Sequence, residues 1–265
     1  MPECPASSQW TPAALAYGLY ERQLLKHLDR SRLPRHVAVL ADGNRRWART
    51  NAPGKPLVTG YRAGAAKLKE FVRWCNELGI ELVTLWVLST ENLQRADDEE
   101  LTPLLDVIAG LVEDLSADAR YQVQIVGDTS LLPGPIAERL EKAADSTRGR
   151  KGMHINVAVA YGGRHELRDA VRNLLEAEAA DGKTLEEVAA TIEPDSIEEH
   201  LYTAGQPDPD LIIRTSGEQR LSGFLMWQSA HSEFYFCEAL WPDFRRVDFL
   251  RALRSFTQRE RRYGR

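Results

Sequence analysis

The stretch HVAVLADGNRRWART, residues 36–50, joins a run of apolar residues to a cluster of charged ones. The run from Val37 to Ala41 is short, continuous and rich in valine, which is typical of a strand that is buried on both faces of a sheet. It ends at Asp42-Gly43-Asn44, and three arginines follow within the next five positions. The strand therefore delivers one carboxylate, a glycine and several guanidinium groups to the same point.

A helix and another strand come next along the chain. Apolar side chains recur at helical spacing from Tyr61 to Leu78, Gly79 ends the pattern, and 82–88 is a second apolar run. Strand, helix and strand in this order make the βαβ unit of a parallel sheet. The alternation continues, and we predict an α/β fold. Further helices are expected at about 101–115, 135–147, 164–180 and 184–200, and further strands at 123–126, 154–160, 211–213, 224–227 and 234–237.

The composition is that of an ordinary globular protein. The chain has 265 residues, 28% of them charged, and a formal net charge of -5, which predicts no nucleic-acid partner. Its three cysteines show no metal-binding spacing, and no apolar run is long enough for a membrane span. The pattern predicts a cytoplasmic protein with a loosely ordered arm over 1–32 and a single domain over 33–265.

Polar and charged residues follow the predicted strands where these strands end. They include four runs that each contain or adjoin an arginine: Asp42 to Arg46, Ser89 to Asn92 with Arg95, Tyr161 to Arg164, and the long run from Arg214 to Gly223. Ligands of open α/β sheets bind beyond the carboxyl ends of the strands, so these residues are the main candidates for a site. Any one arginine here is more simply a solvated surface residue. Four strand ends with arginines favour a site for a polyphosphate or for two phosphorylated ligands.

A carboxylate among arginines needs its own explanation. Asp42 could be only an ion-pair partner, or it could bind Mg²⁺, which takes one or two carboxylates together with phosphate oxygens. We favour magnesium, with Glu233 as a second acid. The simpler reading of Glu233, a solvated glutamate near an exposed strand, stays open.

Several common nucleotide and hydrolase motifs are absent from the sequence. It contains no G-x-x-x-x-G-K-[ST] loop, no G-x-G-x-x-G after the first strand and no G-x-S-x-G elbow. Position 44 holds Asn, so Asp42 lacks the second acid that aspartyl-phosphate enzymes use. These absences disfavour nucleotide and serine-hydrolase chemistry.

The helix predicted at 101–115 carries a wide leucine-rich stripe. Core packing against the sheet is the simpler explanation. The alternative is that the stripe forms the wall of a long apolar pocket beside the phosphate site. A site with phosphates at one end and hydrocarbon at the other would suit a prenyl diphosphate.

Four long motifs make the sequence recognisable. HVAVLADGNRRWA, LSTENLQR, YGGR and DLIIRTSGEQRLSGFLMWQSAHSEFYF resemble, in this order and over residues 33–263, the cis-prenyltransferase family of undecaprenyl diphosphate synthases. Within the family, RLSGFL and the terminal RRYGR are most similar to the actinobacterial short-chain Z-isoprenyl diphosphate synthases, which make (2Z,6E)-farnesyl diphosphate.

The resemblance implies a fold, a reaction and a set of partners. The fold would be a central, mostly parallel six-stranded sheet flanked by helices, with a hydrophobic tunnel. The reaction would be a Mg²⁺-dependent condensation of isopentenyl diphosphate with an allylic diphosphate, geranyl diphosphate being favoured, to a short-chain Z-prenyl diphosphate. The protein would be a homodimer, with peripheral association at the inner face of the cell membrane.

The resemblance also assigns roles to matching positions. Asp42 and Asn92 would be catalytic, and Asp42 and Glu233 would hold Mg²⁺, with Glu233 acting within one chain or across the dimer. The allylic diphosphate would be bound by Gly43, Asn44, Arg45, Arg46 and Trp47. Isopentenyl diphosphate would be bound by, or lie near, Ser89, Glu91, Arg95, Arg214, Arg220 and Ser222. Arg262 and Gly264 match a terminal motif that, in some members, reaches the neighbouring subunit's site.

Product length is expected to depend on bulk along the tunnel. Val87 and Leu88 are larger than the small residue typical at this position in long-chain members, which favours a short product. Tyr61 stands where those members often have His, and the segment over 50–58 is longer here, so no arginine in that loop is assigned a role.

Three rival functions remain open at this stage. The chain could make longer polyprenyl diphosphates, or it could be a non-catalytic partner subunit of the same fold. Such subunits characteristically lack the aspartate and the arginine-rich isopentenyl site, both of which are present here. The arginine-rich segment 245–265 could also form a basic surface for anionic lipid. An all-helical trans-type prenyltransferase is disfavoured by the predicted strands.

Overall fold

The structure is a computed structural model that describes residues 12–95 and 98–258. The strands in this part of the chain are β1 His36–Leu40, β2 Leu82–Trp86, β3 Tyr121–Val126, β4 Met153–Ala158, β5 Leu211–Arg214 and β6 Glu233–Phe236. The α-helices are α1 Pro12–Lys26, α2 Asn44–Asn51, α3 Val58–Glu77, α4 Thr90–Arg95, α5 Asp98–Ala117, α6 Gly134–Asp145, α7 Gly163–Ala180, α8 Leu185–Thr191, α9 Pro194–Glu198 and α10 Arg246–Gln258. Short 3-10 helices cover Arg30–Arg32, Thr129–Leu131, Gln228–His231 and Trp241–Asp243.

The strands form one parallel sheet in the order β3-β4-β2-β1-β5-β6. From β1 the chain extends the sheet on one side as far as β3, and it later returns to add β5 and β6 on the other side. This change of direction lies between β1 and β5, which is where ligands bind in open α/β sheets. Asp42 follows β1 and Arg214 ends β5, so both reach this point. The predicted α/β fold with a six-stranded parallel sheet is confirmed.

The apolar composition of the strands is explained by helices that cover the sheet. Every residue of β1 is buried, and Val83 and Leu85 of β2 have no exposed surface. Such strands need apolar partners on both faces. On α3, Leu68, Phe71 and Val72 are buried at helical spacing, and α3 also packs against α5. The predicted helix over 61–78 is therefore confirmed, with its start three residues earlier, at Val58.

Two sequence predictions of secondary structure are wrong. Residues 224–227 form turns rather than a strand, because Leu225 has a φ of +45° and Phe224 stacks on Trp86 with ring centroids 5.0 Å apart. This apolar run is buried by side-chain packing and not by strand pairing. The helix predicted at 184–200 is split into α8 and α9. Pro194 causes the break, because the residue before a proline avoids the helical region and Glu193 is extended.

The described chain divides into two compact units. One contains residues 34–95 and 98–244 with the whole sheet, and the other contains 12–33 and 245–258. In the second unit α1 packs against α10, where the Arg245 and Arg251 guanidinium groups lie 4.9 and 5.2 Å from the rings of Tyr17 and Tyr20. The division into an arm over 1–32 and a domain over 33–265 stays a prediction. Within the described residues, no helix combines the length and apolarity needed to cross a membrane.

A buried polar chain links β1, β2 and β4 to the segment that precedes β5. His36 Nδ1 lies 2.8 Å from the carbonyl oxygen of Pro207, and Nε2 lies 2.8 Å from Oγ1 of Thr84. The Asn156 amide donates to Thr84 at 3.2 Å and to Gln206 at 2.6 Å. Burial lowers the pKa of His36 to about 4, so the ring is neutral at pH 7 and both of its nitrogens have protein partners.

We predict that His36 makes folding stability fall in mild acid. The unfolded chain takes up a proton at this imidazole near its ordinary pKa of 6.5, whereas the folded protein does so only near pH 4. Stability is therefore fully present above pH 6.5 and is lost as the pH falls towards 4. Between pH 7.5 and 4 the free energy of unfolding should fall on the order of 3 kcal/mol more than in His36→Gln.

Urea denaturation at a series of pH values measures this difference. His27→Gln is the control, since His27 follows α1, is exposed and bonds to the carbonyl oxygen of Gln23 in the last turn of that helix. Its pH profile should match that of the unaltered protein. If the free energy of unfolding falls equally with pH in the unaltered protein and in His36→Gln, His36 is not the group that causes the loss of stability in acid.

Candidate active site

Asp42 is fixed by the pairing of β1 with β5. In this register Leu40 lies beside Arg214, and the residues that follow the two strands meet. The hydroxyl of Thr215 accepts from the N–H of Asp42 at 3.1 Å and donates to its carbonyl oxygen at 2.8 Å. Thr215 is fully buried, so this bridge joins the two strand ends inside the protein.

The Asp42 carboxylate is contacted through one of its two oxygens. Oδ2 accepts from Arg214 Nη2 at 3.2 Å and from Ser216 Oγ at 3.0 Å, and it lies 3.8 Å from Arg46 Nη2. The side chain is still 42% exposed. The protein therefore orients the carboxylate and leaves its side chain partly open to solvent.

Gly43 turns the chain from β1 into α2. Its φ is +111°, and a Cβ on this residue would lie 2.9 Å from the side chain of Leu240, so only glycine fits. The first N–H groups of a helix have no acceptor within the helix. Those of Asn44, Arg45 and Arg46 thus lie directly beside Asp42, together with two guanidinium groups. Such a helix start is a favourable place for a phosphate.

Arg214 is a buried arginine that orients the next loop. Its side chain is 5% exposed, and Nη1 donates to Ser222 Oγ at 3.0 Å and to the carbonyl oxygen of Arg220. Arg220 itself is 66% exposed and pairs with Glu218, so its guanidinium can turn towards a ligand. The structure thus brings Arg214, Arg220 and Ser222 together.

The end of β2 supplies a second group of predicted residues. Ser89 is 8% exposed, and its hydroxyl accepts from the N–H of Asn92 at 3.0 Å, which fixes the start of α4. Glu91 and Asn92 line the same cavity as Asp42. Val87 and Leu88 also line it.

The cavity has a volume of about 810 Å³ and two kinds of lining. Strand ends and α2 supply charged groups, and α3 and α5 supply apolar ones. On α5, Leu104, Val107, Ile108 and Leu111 follow the spacing of one helix face. The leucine-rich stripe therefore serves both of the roles considered above, because Leu105, Val112 and Leu115 of the same helix are core residues.

Sequence reasoning assigned no role to several residues that the structure brings to the site. Thr215 and Ser216, which hold Asp42, stood in the strand-end run but gave no signal beyond their position after β5.

Tyr61 donates to Glu100, and Arg45 Nη1 lies 3.9 Å from the same carboxylate. Burial and the neighbouring Glu100 raise the pKa of Tyr61, so it remains a hydroxyl. No sequence spacing predicts that α3 and α5 bring this pair together.

The structure does not place all of the predicted site residues beside Asp42 of the same chain. Trp47 is not among the described residues that line the cavity, and its indole N–H donates to Asp243 at 2.8 Å. Glu233 pairs with Leu211 at the first residue of β5, whereas Asp42 contacts Arg214 at the last one. At ~3.3 Å per residue these ends are about 10 Å apart. The Arg95 side chain, Arg262 and Gly264 lie outside the described residues.

The site residues fit a magnesium ion that is shared with phosphate. In the described ranges, no group of three or more His, Cys, Asp or Glu side chains could hold a metal alone. Asp42 offers one partly exposed carboxylate, and Mg²⁺ is usually held by one or two carboxylates together with substrate phosphates. Asp42 would therefore hold the ion only when a diphosphate supplies further oxygens.

Comparison with known proteins agrees with this geometry. The family described as putative undecaprenyl diphosphate synthase matches residues 40–264. The chain is 56% identical to a (2Z,6E)-farnesyl diphosphate synthase of Mycolicibacterium smegmatis, over 94% of this chain and 95% of that protein. It is 57% identical to a short-chain Z-isoprenyl diphosphate synthase of Mycobacterium leprae, with the same coverage.

A solved structure is also similar. Lavandulyl diphosphate synthase from Lavandula x intermedia, in complex with dimethylallyl diphosphate, has a TM-score of 0.80 and 35% identity, over 89% of this chain and 100% of that one. This chain belongs to the cis-prenyltransferase family of undecaprenyl diphosphate synthases, which are enzymes that transfer prenyl groups. The family predicted from the motifs is confirmed.

We predict that Thr215→Val lowers the free energy of unfolding by about 0.5–1.5 kcal/mol, because the N–H and C=O of Asp42 lose their hydroxyl partner but keep backbone partners in Leu40 and Trp241. Valine keeps the shape of threonine, so the loss reflects hydrogen bonding rather than a cavity. Urea denaturation measures it. Thr50→Val, whose exposed hydroxyl bonds only within α2, should change stability by less than about 0.5 kcal/mol. Equal effects at both positions would contradict the prediction.

Proposed function

We propose that the protein is a Mg²⁺-dependent cis-prenyltransferase that condenses isopentenyl diphosphate with an allylic diphosphate, preferably geranyl diphosphate, to a short-chain Z-prenyl diphosphate such as (2Z,6E)-farnesyl diphosphate. The observation that carries the proposal is the two-part lining of the cavity. Guanidinium groups and a helix start at one part suit a diphosphate, and the α5 face suits hydrocarbon.

The relatives support the substrate class and the product. Two proteins more than half identical to this chain are a (2Z,6E)-farnesyl diphosphate synthase and a short-chain Z-isoprenyl diphosphate synthase. The lavandulyl diphosphate synthase structure contains dimethylallyl diphosphate. The cavity volume also lies within the ~300–1,000 Å³ that is usual for a site that encloses one small ligand.

Residues of this chain would drive the reaction by holding both diphosphates and orienting their carbons. Arg45, Arg46 and the N–H groups at the start of α2 hold the allylic diphosphate, while Arg214, Arg220 and Ser222 hold isopentenyl diphosphate. The allylic C–O bond breaks, a bond forms to the terminal alkene carbon of isopentenyl diphosphate, and that partner loses a proton. The groups around the departing pyrophosphate stabilise its growing negative charge. Magnesium, when bound, supplies Lewis-acid stabilisation of the same charge.

The residues beside the bond-forming carbons would come from the end of β2. Asn92, with Ser89 and Glu91, lies on the cavity wall next to Val87 and Leu88. The hydrogen bond from Asn92 N–H to Ser89 fixes this turn. Asn92 is thus well placed to orient a substrate, and the two apolar residues before it limit the room for a growing chain.

A second copy of the chain is part of the proposal. Because Glu233 lies at the opposite end of β5 from Asp42, a role for it at the metal requires the acid of a neighbouring subunit. We therefore propose a homodimer in which Glu233, Arg262 and Gly264 act across the interface. The enzyme would work in the cytoplasm, with its arginine-rich C-terminal segment making peripheral contact with anionic lipid at the inner face of the membrane.

We predict that the purified protein with Mg²⁺, isopentenyl diphosphate and geranyl diphosphate forms (2Z,6E)-farnesyl diphosphate. Chromatography of the dephosphorylated products against Z and E standards identifies it. Asp42→Asn should lower turnover by at least about 100-fold, since removing one group that stabilises transition-state charge typically costs that much. Asp114→Asn is the control, because this exposed acid on α5 pairs with Lys69 and is not among the described residues that line the cavity.

Each other outcome of this assay is informative. Mainly long products would indicate a long-chain polyprenyl diphosphate synthase. No turnover with dimethylallyl, geranyl or farnesyl diphosphate would contradict the proposal and would favour a non-catalytic partner subunit.

We predict that Val87→Ala lengthens the product. The side chain lines the cavity beside the catalytic turn, and its truncation removes bulk from the path of the growing chain. The measured quantity is the ratio of products longer than farnesyl to farnesyl diphosphate. Val171→Ala, an exposed position on α7, should leave the ratio unchanged. An unchanged ratio in Val87→Ala would show that this strand does not limit length.

A further inference from the structure

Ser216 lies in the turn after β5 in a conformation that serine rarely adopts. Its φ is +79°, and it is followed by Gly217 with a φ of +76°. A residue with a Cβ is less stable than glycine in this left-handed region, and it keeps such a conformation only where its surroundings fix it. Strain of this kind is common at functional sites. A serine at this position therefore needs an explanation beyond the path of the backbone.

The backbone of this turn is held by the segment that follows β6. The N–H of Ser216 donates to the carbonyl oxygen of Ala239 at 2.8 Å, and the N–H of Gly217 donates to that of Cys237 at 3.0 Å. A Cβ on Gly217 would lie 2.6 Å from a carboxylate oxygen of Glu238, so the packing is close. None of these contacts needs a side chain at position 216. They explain the turn but not the serine.

The Ser216 side chain adds a contact that glycine could not make. The residue is 7% exposed, and its hydroxyl donates to Asp42 Oδ2 at 3.0 Å. Its carbonyl oxygen accepts from Arg46 Nη1 at 3.3 Å, and Arg46 Nη2 lies 3.8 Å from Asp42 Oδ2. Ser216 therefore contacts both the carboxylate that would hold Mg²⁺ and an arginine that would hold diphosphate.

The charge of a donor affects a carboxylate that binds a cation. Arg214 also donates to Asp42 Oδ2, and each guanidinium that orients this acid also repels Mg²⁺. A hydroxyl orients the same oxygen without adding a positive charge, and a hydrogen bond to an ionised group is stronger than one between neutral groups. Ser216 thus orients the carboxylate without adding to the repulsion of the metal.

We propose that Ser216 is a positioning residue for magnesium-assisted binding of the allylic diphosphate. Its hydroxyl holds the Asp42 carboxylate in the orientation in which the metal is shared with the diphosphate, and the left-handed backbone brings the hydroxyl to this oxygen. The inference rests on the proposed function, in which Asp42 holds Mg²⁺. It adds a residue to which the sequence motifs assigned no role.

Two substitutions separate the effect of the hydroxyl from that of the backbone. Ser216→Ala removes the hydroxyl and keeps a Cβ in the left-handed region, whereas Ser216→Gly removes the hydroxyl and relieves the strain. The thermal midpoint of Ser216→Gly should therefore lie about 2 °C above that of Ser216→Ala. In regular helices and strands glycine is instead the less stable of the two. If Ser216→Ala does not fold, Ser216→Gly alone carries the test.

Calorimetric titration with geranyl diphosphate measures the effect on the metal, because no condensation occurs without isopentenyl diphosphate. Each protein is titrated in excess Mg²⁺ and again in EDTA, and the ratio of the two Kd values gives the strengthening that Mg²⁺ provides. This strengthening should be about tenfold smaller in both Ser216 variants than in the unaltered protein, the equivalent of one lost hydrogen bond to a charged group. The Kd in EDTA should change by less than about twofold, because the start of α2 is unaffected.

Ser130→Ala is the matched control. The Ser130 hydroxyl also donates to an aspartate, Asp128, and neither residue is among the described ones that line the cavity. This variant should show the same strengthening by Mg²⁺ as the unaltered protein.

The titrations distinguish this inference from the proposed function. Weaker strengthening by Mg²⁺ in both Ser216 variants supports the inference even if no primer is turned over. Equal strengthening in these variants and in the unaltered protein would overturn the inference and leave the proposed function intact. If geranyl diphosphate does not bind the unaltered protein in Mg²⁺ or in EDTA, both are overturned.

Discussion

The site depends on the contact between Asp42 and the buried guanidinium of Arg214. The parallel register of β1 and β5 sets Leu40 beside Arg214, so the residues after these strands have to meet. A buried arginine without a carboxylate would be costly, and here the carboxylate that pairs with it is itself 42% exposed. The same guanidinium holds the loop of Ser222 with its other nitrogen. One side chain thus joins the two strand ends and the loop beside them.

The arginines of the site differ in how far they are buried. The two terminal nitrogens of Arg214 bond to protein acceptors and fix the position of its charge, whereas Arg45, Arg46 and Arg220 are about half exposed or more. The buried arginine therefore gives the site its shape, and the exposed ones provide charge that can follow a diphosphate. Arg45 lies 3.9 Å from Glu100, so this carboxylate offsets part of the positive charge at the site.

Most of the fold and part of the site were predictable from the sequence. Continuous apolar strands and helical spacing fixed the α/β class, and the strand-end positions of Asp42 and Arg214 placed them at one edge. The turn at 224–227 was missed because an apolar run looks the same whether it pairs as a strand or packs as a turn. Thr215, Tyr61 and Glu100 were missed because their roles depend on neighbours more than thirty residues away, which a local pattern does not contain.

The two linings of the cavity come from different parts of the chain. Charged groups lie on strand ends and the start of α2, and the α5 face with Leu104, Val107, Ile108 and Leu111 supplies much of the apolar wall. A substitution on that face changes the volume available to hydrocarbon without altering a phosphate contact. Evolution can therefore vary the hydrocarbon ligand of this scaffold while the diphosphate chemistry stays constant, and an engineer can treat the two properties as separate design problems.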